Sequence, residues 1–311
     1  MIPNLLSRDP RGEDPQLCSG GSHQGPAPSP DMRPRRCRSI SLISGQTGAG
    51  TSCVARHLSL ALCRQGHSVC LLEDVCSPGV SPGTEDRPGQ LAEVLAGHRT
   101  LAEITHRGPG GLRSIAGALS LAHLADCSAR RRAEISEQLR ALEAQCDFLV
   151  IDAGSGTAQD TASSRWRLAR LADAVCLVAT PEPGVVPETL ALLQRLPGAA
   201  AADTPRLIIN QADSPEQAHG ILARIQQGAR DQGSALVTGV GYIPFDHAAS
   251  RADLPPAALG TKPSRAGAAQ AIDQIAHRLA ATVPAVTHRP SSLCFPSLPS
   301  LPSPAVAPSV V

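Results

Sequence analysis

Lysine is almost missing from this chain. Lys262 is the only one in 311 residues, and nearly all positive charge is arginine. Aromatic residues make up 2% of the sequence, so a core has to be assembled from Leu, Ile, Val and Ala. Neither charge sign dominates: the formal net charge is +1, which gives no strong nucleic-acid signal. No apolar run approaches the ~20 residues that a membrane span needs. The N-terminus carries no charged-then-apolar signal pattern, so a cytoplasmic location is expected. The ten cysteines include no C-x-x-C pair, which argues against a zinc site or a disulfide framework. Cys70, Cys146 and Cys176 fall in or beside apolar runs and are expected as buried free thiols.

What is present sorts into three parts. Residues 1–38 are rich in Pro, Gly, Ser and charge, lack periodicity, and read as disordered, ending in the small basic cluster "MRPRRCR". Residues 284–311 form a Pro/Ser-rich tail that reads as polyproline-like or disordered. Between them, short apolar runs alternate with helical patterns. Strands are expected at Ser39–Ile43, Ser68–Leu72, Leu112–Ala116, Phe148–Ile151, Ala174–Ala179, Leu207–Ile209 and Val237–Ile243. Helices are expected at Cys53–Arg64, Leu91–Gly97, Arg131–Ala144, Pro187–Leu196, Pro215–Arg230 and Ala268–Leu279. Continuous apolar strands alternating with helices predict an α/β fold over residues 39–283: one doubly wound, mostly parallel sheet with helices on both faces. Ligands of such sheets sit at the carboxyl ends of the strands.

The stretch "LISGQTGAGTSCVARHLSLAL" places a glycine-rich turn between the first strand and the first helix. Against the phosphate-loop template G-x-x-x-x-G-K-[ST], Gly45, Gly50 and Ser52 match, and Thr51 stands where the lysine belongs. Gly48 and Gly50 permit close backbone approach to an anion, and the helix N-terminus offers N–H donors without any charged side chain. Downstream, "FLVIDAGSG" puts Asp152 at the end of an apolar strand, where a Mg²⁺-linked acid of a phosphate-loop protein belongs. Two other readings compete. A dinucleotide fold would use Gly48 and Gly50 with Glu73 or Asp74, but Cys53 occupies its third glycine position, and Tyr242 is followed at the fourth place by Asp246 instead of Lys. A glycine-rich turn that holds no ligand is the plainer reading.

Taken together, these stretches resemble the MinD/ParA-type P-loop ATPases of the SIMIBI class, whose loop reads S-G-K-G-G-V-G-K-T, and among them the flagellar-number regulator branch FlhG, also called FleN. "LAEVLAGHRTLAEITHRGPGGLRSIAGA", "CDFLVIDAGSG", "VATPEPGVVPETLALL" and "VGYIPFDHAASRA" support that branch. The resemblance spans roughly residues 39–279. It implies a nucleotide site with ATP or ADP and Mg²⁺, in which Gly45, Gln46, Gly48, Gly50, Thr51 and Ser52 line the phosphates. Ser52 and Asp152 serve the metal, Asn210 contacts adenine, and Pro244 and Asp246 lie in the second base-binding loop. "NQAD", at residues 210–213, is also similar to the guanine-reading N-K-x-D of GTPases; alternatively, Asp213 caps the helix that starts at Pro215.

The departures from the family pattern concern catalysis. The family's deviant lysine falls on Gln46, its loop lysine on Thr51, and the second Asp of its D-x-D on Val75. The resemblance therefore implies a pseudo-ATPase, with Asp152 as the one retained catalytic candidate. The expected function is regulation of flagellar number or placement, with weak nucleotide binding and little or no hydrolysis. Expected partners are the flagellar GTPase FlhF, a flagellar transcription regulator or switch-ring components, and a second copy of the chain as a homodimer. The D-Q-A-x-x-L-R motif that serves FlhF in the family is not found, and the last helix reads as core-packing instead of as a membrane anchor, so membrane contact is at most peripheral. Alternatives are a residual ATPase that positions cell-pole or division-site components, and an interaction module that binds no nucleotide.

Overall fold

The computed structural model describes residues 37–74, 90–155, 162–195, 204–246 and 267–283. The expectations for Val75, for residues 284–311 and for residues 1–36 lie outside these residues, while Arg38, expected in the N-terminal tail, opens the first strand by pairing with Phe148. Within them the chain runs β1 (Arg38–Ser44), α1 (Thr51–Arg64), β2 (Val69–Glu73), α2 (Leu91–Ala96), α3 (Leu101–Ile104), β3 (His106–Arg107), β4 (Arg113–Ala116), α4 (Ala129–Glu143), β5 (Phe148–Ser155), α5 (Ala162–Ala169), β6 (Ala174–Ala179), α6 (Val185–Leu193), β7 (Arg206–Ala212), α7 (Pro215–Asp231), β8 (Thr238–Pro244) and α8 (Gly267–Thr282). The eight strands form one sheet in the order β3-β4-β2-β5-β1-β6-β7-β8. Every neighbouring pair is parallel except the short β3 against β4. This is the doubly wound, mostly parallel α/β sheet that the alternation predicted.

Strand alternation shows why the apolar runs are continuous. On β5, Phe148 and Val150 enter the core layer beneath α1 and α8, while Leu149, Ile151 and Ala153 enter the layer beneath α4 to α7. On β1, Ile40 and Leu42 face the first layer and Ile43 the second. A strand covered on both faces needs apolar side chains at every position. β1 breaks that rule at Ser39 and Ser41, and both serines are satisfied. Ser39 donates from N and Oγ to the Asp173 carboxylate, each at 2.8 Å, and Ser41 Oγ donates to the Ala169 carbonyl at 2.7 Å.

Small elements escaped the periodicity. α3 is four residues long, held by a capping box between Thr100 and Glu103. α5 was not expected at all, since its sequence "ASSRWRLA" lacks a clear apolar stripe. The last helix behaves as expected of a core helix: Ile272, Ile275, Ala276 and Leu279 are buried against α1 and β8, and Arg64 pairs with Asp273 at 2.6 Å. Cys70, Cys146 and Cys176 are buried free thiols. Among the described residues, no helix is long and apolar enough to cross a membrane.

Topology determines where the chemistry collects. β1 and β2 are separated by β5, so the ends of three strands carrying the glycine loop, Asp74 and Asp152 lie side by side. The register pairs Leu42 of β1 with Asp152 of β5, which brings the carboxylate to the root of the loop.

Candidate nucleotide-phosphate site

The turn between β1 and α1 is shaped by backbone requirements that only glycine meets. Gly48 and Gly50 have φ of 82° and 76°, in the left-handed region where a side chain is strained. A Cβ on Gly50 would also lie 2.6 Å from Nδ2 of Asn210, and one on Gly45 would lie 3.2 Å from the Glu188 carbonyl oxygen of α6. The loop is thus wedged between α6 and β7, and it delivers the chain to the N-terminus of α1. No acidic residue stands in the first turn of α1, so its free N–H groups and dipole favour an anion.

The two positions that carry lysine in the resembled family are occupied in different ways. Gln46 accepts from the Thr180 hydroxyl through Oε1 at 3.0 Å, and its backbone N–H donates to Ser44 Oγ at 3.0 Å. The amide is therefore turned toward the end of β6. Thr51 is 4% exposed, and its Oγ1 is buried without a hydrogen-bond partner among the described residues. Buried polar atoms seldom stay unpaired. An unpaired hydroxyl at the first residue of this helix is a donor left for an anion, so the residues present suit a nucleotide's phosphates.

Ser52 stands near enough to the Asp152 carboxylate to favour its charged form. Asp152 accepts from the Gly154 N–H at 2.9 Å and is buried. Burial pushes its carboxyl above the ordinary range, and the neighbouring Asp74 adds to this; Ser52, Gly154 and Arg165 act in the opposite direction. Ser52 and Asp152 are the residues that the resemblance assigns to Mg²⁺. Among the described residues no group of three or more His, Cys, Asp or Glu is arranged to hold a metal ion. A Mg²⁺ here would thus lean on phosphate oxygens and water for its remaining ligands.

A cation does enter the site, from a residue the sequence reading missed. Arg165 of α5 donates from Nη1 to the Asp74 carboxylate and, at 2.9 Å, to the Ala153 carbonyl. Only the contact itself reveals it, because nothing in "SSRWRLAR" separates this arginine from its neighbours. Glu73, the last residue of β2, pairs with Arg56 at 3.2 Å, and burial holds its carboxyl above the ordinary range against the pull of that arginine.

The residues expected around a base lie on the neighbouring strands β7 and β8. Asn210 is buried, and its Nδ2 donates to the Ala49 carbonyl at 2.8 Å, tying β7 to the phosphate loop. Gln211 has φ of 60°, the one non-glycine residue with positive φ among those described. Pro244 pairs with Ala212 at the end of β8, and the Phe245 N–H donates to the Ala212 carbonyl at 3.1 Å, so Asp246 follows directly beside the Asn210 segment. The cap of α7 is Ser214, which accepts from Gln217 N at 3.2 Å, and not Asp213, whose backbone N–H donates to the Gln217 side chain at 2.8 Å. The hydroxyl one residue later wins because its spacing reaches the third helical N–H.

No family model matches the chain. The antiactivator FleN of Pseudomonas aeruginosa is 26% identical over 215 residues, 68% of this chain and 75% of FleN. The septum site-determining protein MinD of Pyrococcus horikoshii, solved with Mg-ADP, superposes with a TM-score of 0.54 at 19% identity, over 78% of this chain and 96% of that one. A ParA family ATPase of Chlorobium tepidum superposes with a TM-score of 0.56 at 18% identity, over 78% and 98%.

Proposed function

We propose that this chain, which belongs to the MinD/ParA family and is related to FleN, is a FlhG-like regulator of flagellar number or placement that binds a nucleotide weakly and hydrolyses little or none of it. The observation that carries this reading is the split state of the site. The left-handed glycines of the loop, Ser52 near Asp152 and the unpaired Thr51 hydroxyl support a phosphate-binding role, while neither Gln46 nor Thr51 brings a charge. Phosphoryl transfer is catalysed largely by positive groups placed where charge develops. Without the two lysines that stabilisation is reduced, and binding loses a charge-assisted contact of roughly 1.5–3 kcal/mol. The protein then acts through its surfaces, on flagellar assembly proteins such as the GTPase FlhF, a transcription regulator or the switch ring, as a monomer or a homodimer in the cytoplasm.

Two measurements test this. ATP should raise the melting temperature of the purified chain, as any ligand selective for the folded state does, while phosphate release stays at background. Mg²⁺-dependent turnover that disappears in Asp152→Ala would overturn the claim of little hydrolysis. Deleting the gene should change flagellar number, placement or motility; an unchanged phenotype would overturn the flagellar reading.

A further inference from the structure

The ion pair between Asp74 and Arg165 stands next to Asp152, and Gly154 joins the three. Asp152 accepts the Gly154 N–H. A Cβ at Gly154 would lie 2.8 Å from Oδ2 of Asp74 and would overlap Nη1 of Arg165. Gly154 has φ of 72° and no side chain, which is what lets the guanidinium enter. The Asp74 side chain is 9% exposed and that of Arg165 21%. Two carboxylates at the ends of adjacent strands, both largely out of water, repel each other unless a cation stands close by. In a metal-dependent site that cation is Mg²⁺. Here the chain carries its own, fastened by Asp74 and by the Ala153 carbonyl.

The guanidinium is also only partly used. All its bonds within the described residues leave from Nη1, so Nε and Nη2 donate to nothing there. Arginine presents five N–H donors in a planar fork that suits phosphate oxygens as well as carboxylates. Arg165 and Ser52 both favour the charged form of Asp152, so a fixed, partly buried, half-satisfied guanidinium lies on the same carboxylate as the start of α1, an arrangement suited to polyphosphate.

We propose that Arg165 replaces the divalent cation of this site, so that the phosphate loop takes a nucleoside di- or triphosphate free of Mg²⁺. The proposal rests on the reading of the loop as a nucleotide site given above. It also offers a reason for little hydrolysis that is separate from the missing lysines. An arginine tethered to Asp74 supplies binding charge, but it does not orient water or bridge phosphate oxygens as a hydrated metal ion does.

The test uses the full-length chain and N-methylanthraniloyl-ADP, titrated by fluorescence in Mg²⁺ and in EDTA. Affinity should differ by less than about threefold between the two conditions, since the charge that matters is built in. Arg165→Gln should lose about tenfold or more in EDTA, by the loss of charge-assisted hydrogen bonds, and recover part of it with Mg²⁺. Arg165→Lys, which keeps the charge, should stay closer to the native protein in EDTA. A second readout needs no nucleotide: Mn²⁺ followed by electron paramagnetic resonance should be taken up by Arg165→Gln, whose two carboxylates are then uncompensated, and not by the native chain. Circular dichroism establishes that each variant is folded, and the comparison of Mg²⁺ with EDTA on the native chain decides the matter even if Arg165→Gln does not fold. If the labelled ADP binds the native chain only with Mg²⁺, or if folded Arg165→Gln binds as well as the native chain in EDTA, the metal-replacement proposal falls and the nucleotide reading stands. If it binds in neither condition, both fall.

Discussion

The side chain of Asn210 is hydrogen-bonded to the backbone of the phosphate loop: its Nδ2 donates to the Ala49 carbonyl at 2.8 Å while packing over Gly50. A residue of β7 thereby shapes the loop that follows β1. Asn210→Ala should destabilise the protein by about 1–3 kcal/mol, because a buried carbonyl loses its donor. Gly50→Ala should be worse, since its Cβ would collide with Asn210 and its φ disfavours any side chain. The two changes should be non-additive: Gly50→Ala should cost less in the Asn210→Ala background, though not nothing, because the backbone strain remains. Urea denaturation of the four proteins measures this, and strict additivity would show that the contact carries no energy.

Ser39 and Asp173 form a second long-range lock. Ser39 donates twice to the Asp173 carboxylate, and Asp173 N donates back to Ser39 Oγ at 2.9 Å, all out of water. Ser39→Ala should lower the denaturation midpoint by the equivalent of about 1–3 kcal/mol with little change in slope, since one hydroxyl partner of a buried carboxylate is gone. A change below about half a kcal/mol would mean that the pair is replaceable by repacking.

The buried carboxyl of Glu73 should leave a pH signature. Burial raises its folded pKa above the ordinary value, and Arg56 offsets this only in part. A carboxyl with a raised folded pKa binds its proton more tightly in the folded than in the unfolded chain. Its contribution to stability is therefore complete below the unfolded value, about 4.3, and is lost as pH rises through the folded one. Glu73→Gln cannot ionise, so its melting temperature relative to the native protein should improve as pH climbs from about 4 toward neutrality. A relative stability that falls with rising pH would show that Arg56 outweighs burial.

Thr51→Lys restores one cation of the phosphate loop. The expected gain is about tenfold in ATP affinity through a charge-assisted contact, without turnover, because Gln46 stays neutral and engaged with Thr180 and Val75 offers no carboxylate. Isothermal titration and phosphate release check the two halves separately. Rates well above background in this single variant would locate the whole defect at position 51.

The sequence by itself determined the class of the fold. A strand covered on both faces has to be apolar at every position, so the runs at Ala174–Ala179 and Phe148–Ile151 could be read without knowing their neighbours. Helices with an apolar stripe, such as Pro215–Asp231, were equally plain. The glycine loop was legible because left-handed backbone restricts which residues serve there, and the phosphate-loop template singled out Ser52 and Asp152 as candidates. α5 was not, since eight residues with two arginines and a tryptophan carry no period strong enough to declare a helix. Nor was the order of the strands: local pattern says nothing about β5 entering between β1 and β2, which is settled by which faces bury one another. That insertion sets Asp152 beside Asp74 and lets Arg165, 91 residues along the chain from Asp74, reach both the carboxylate and the Ala153 carbonyl. Charge pairing across such a separation depends on distance in space and not in sequence, so only the tertiary structure could give this site its cation.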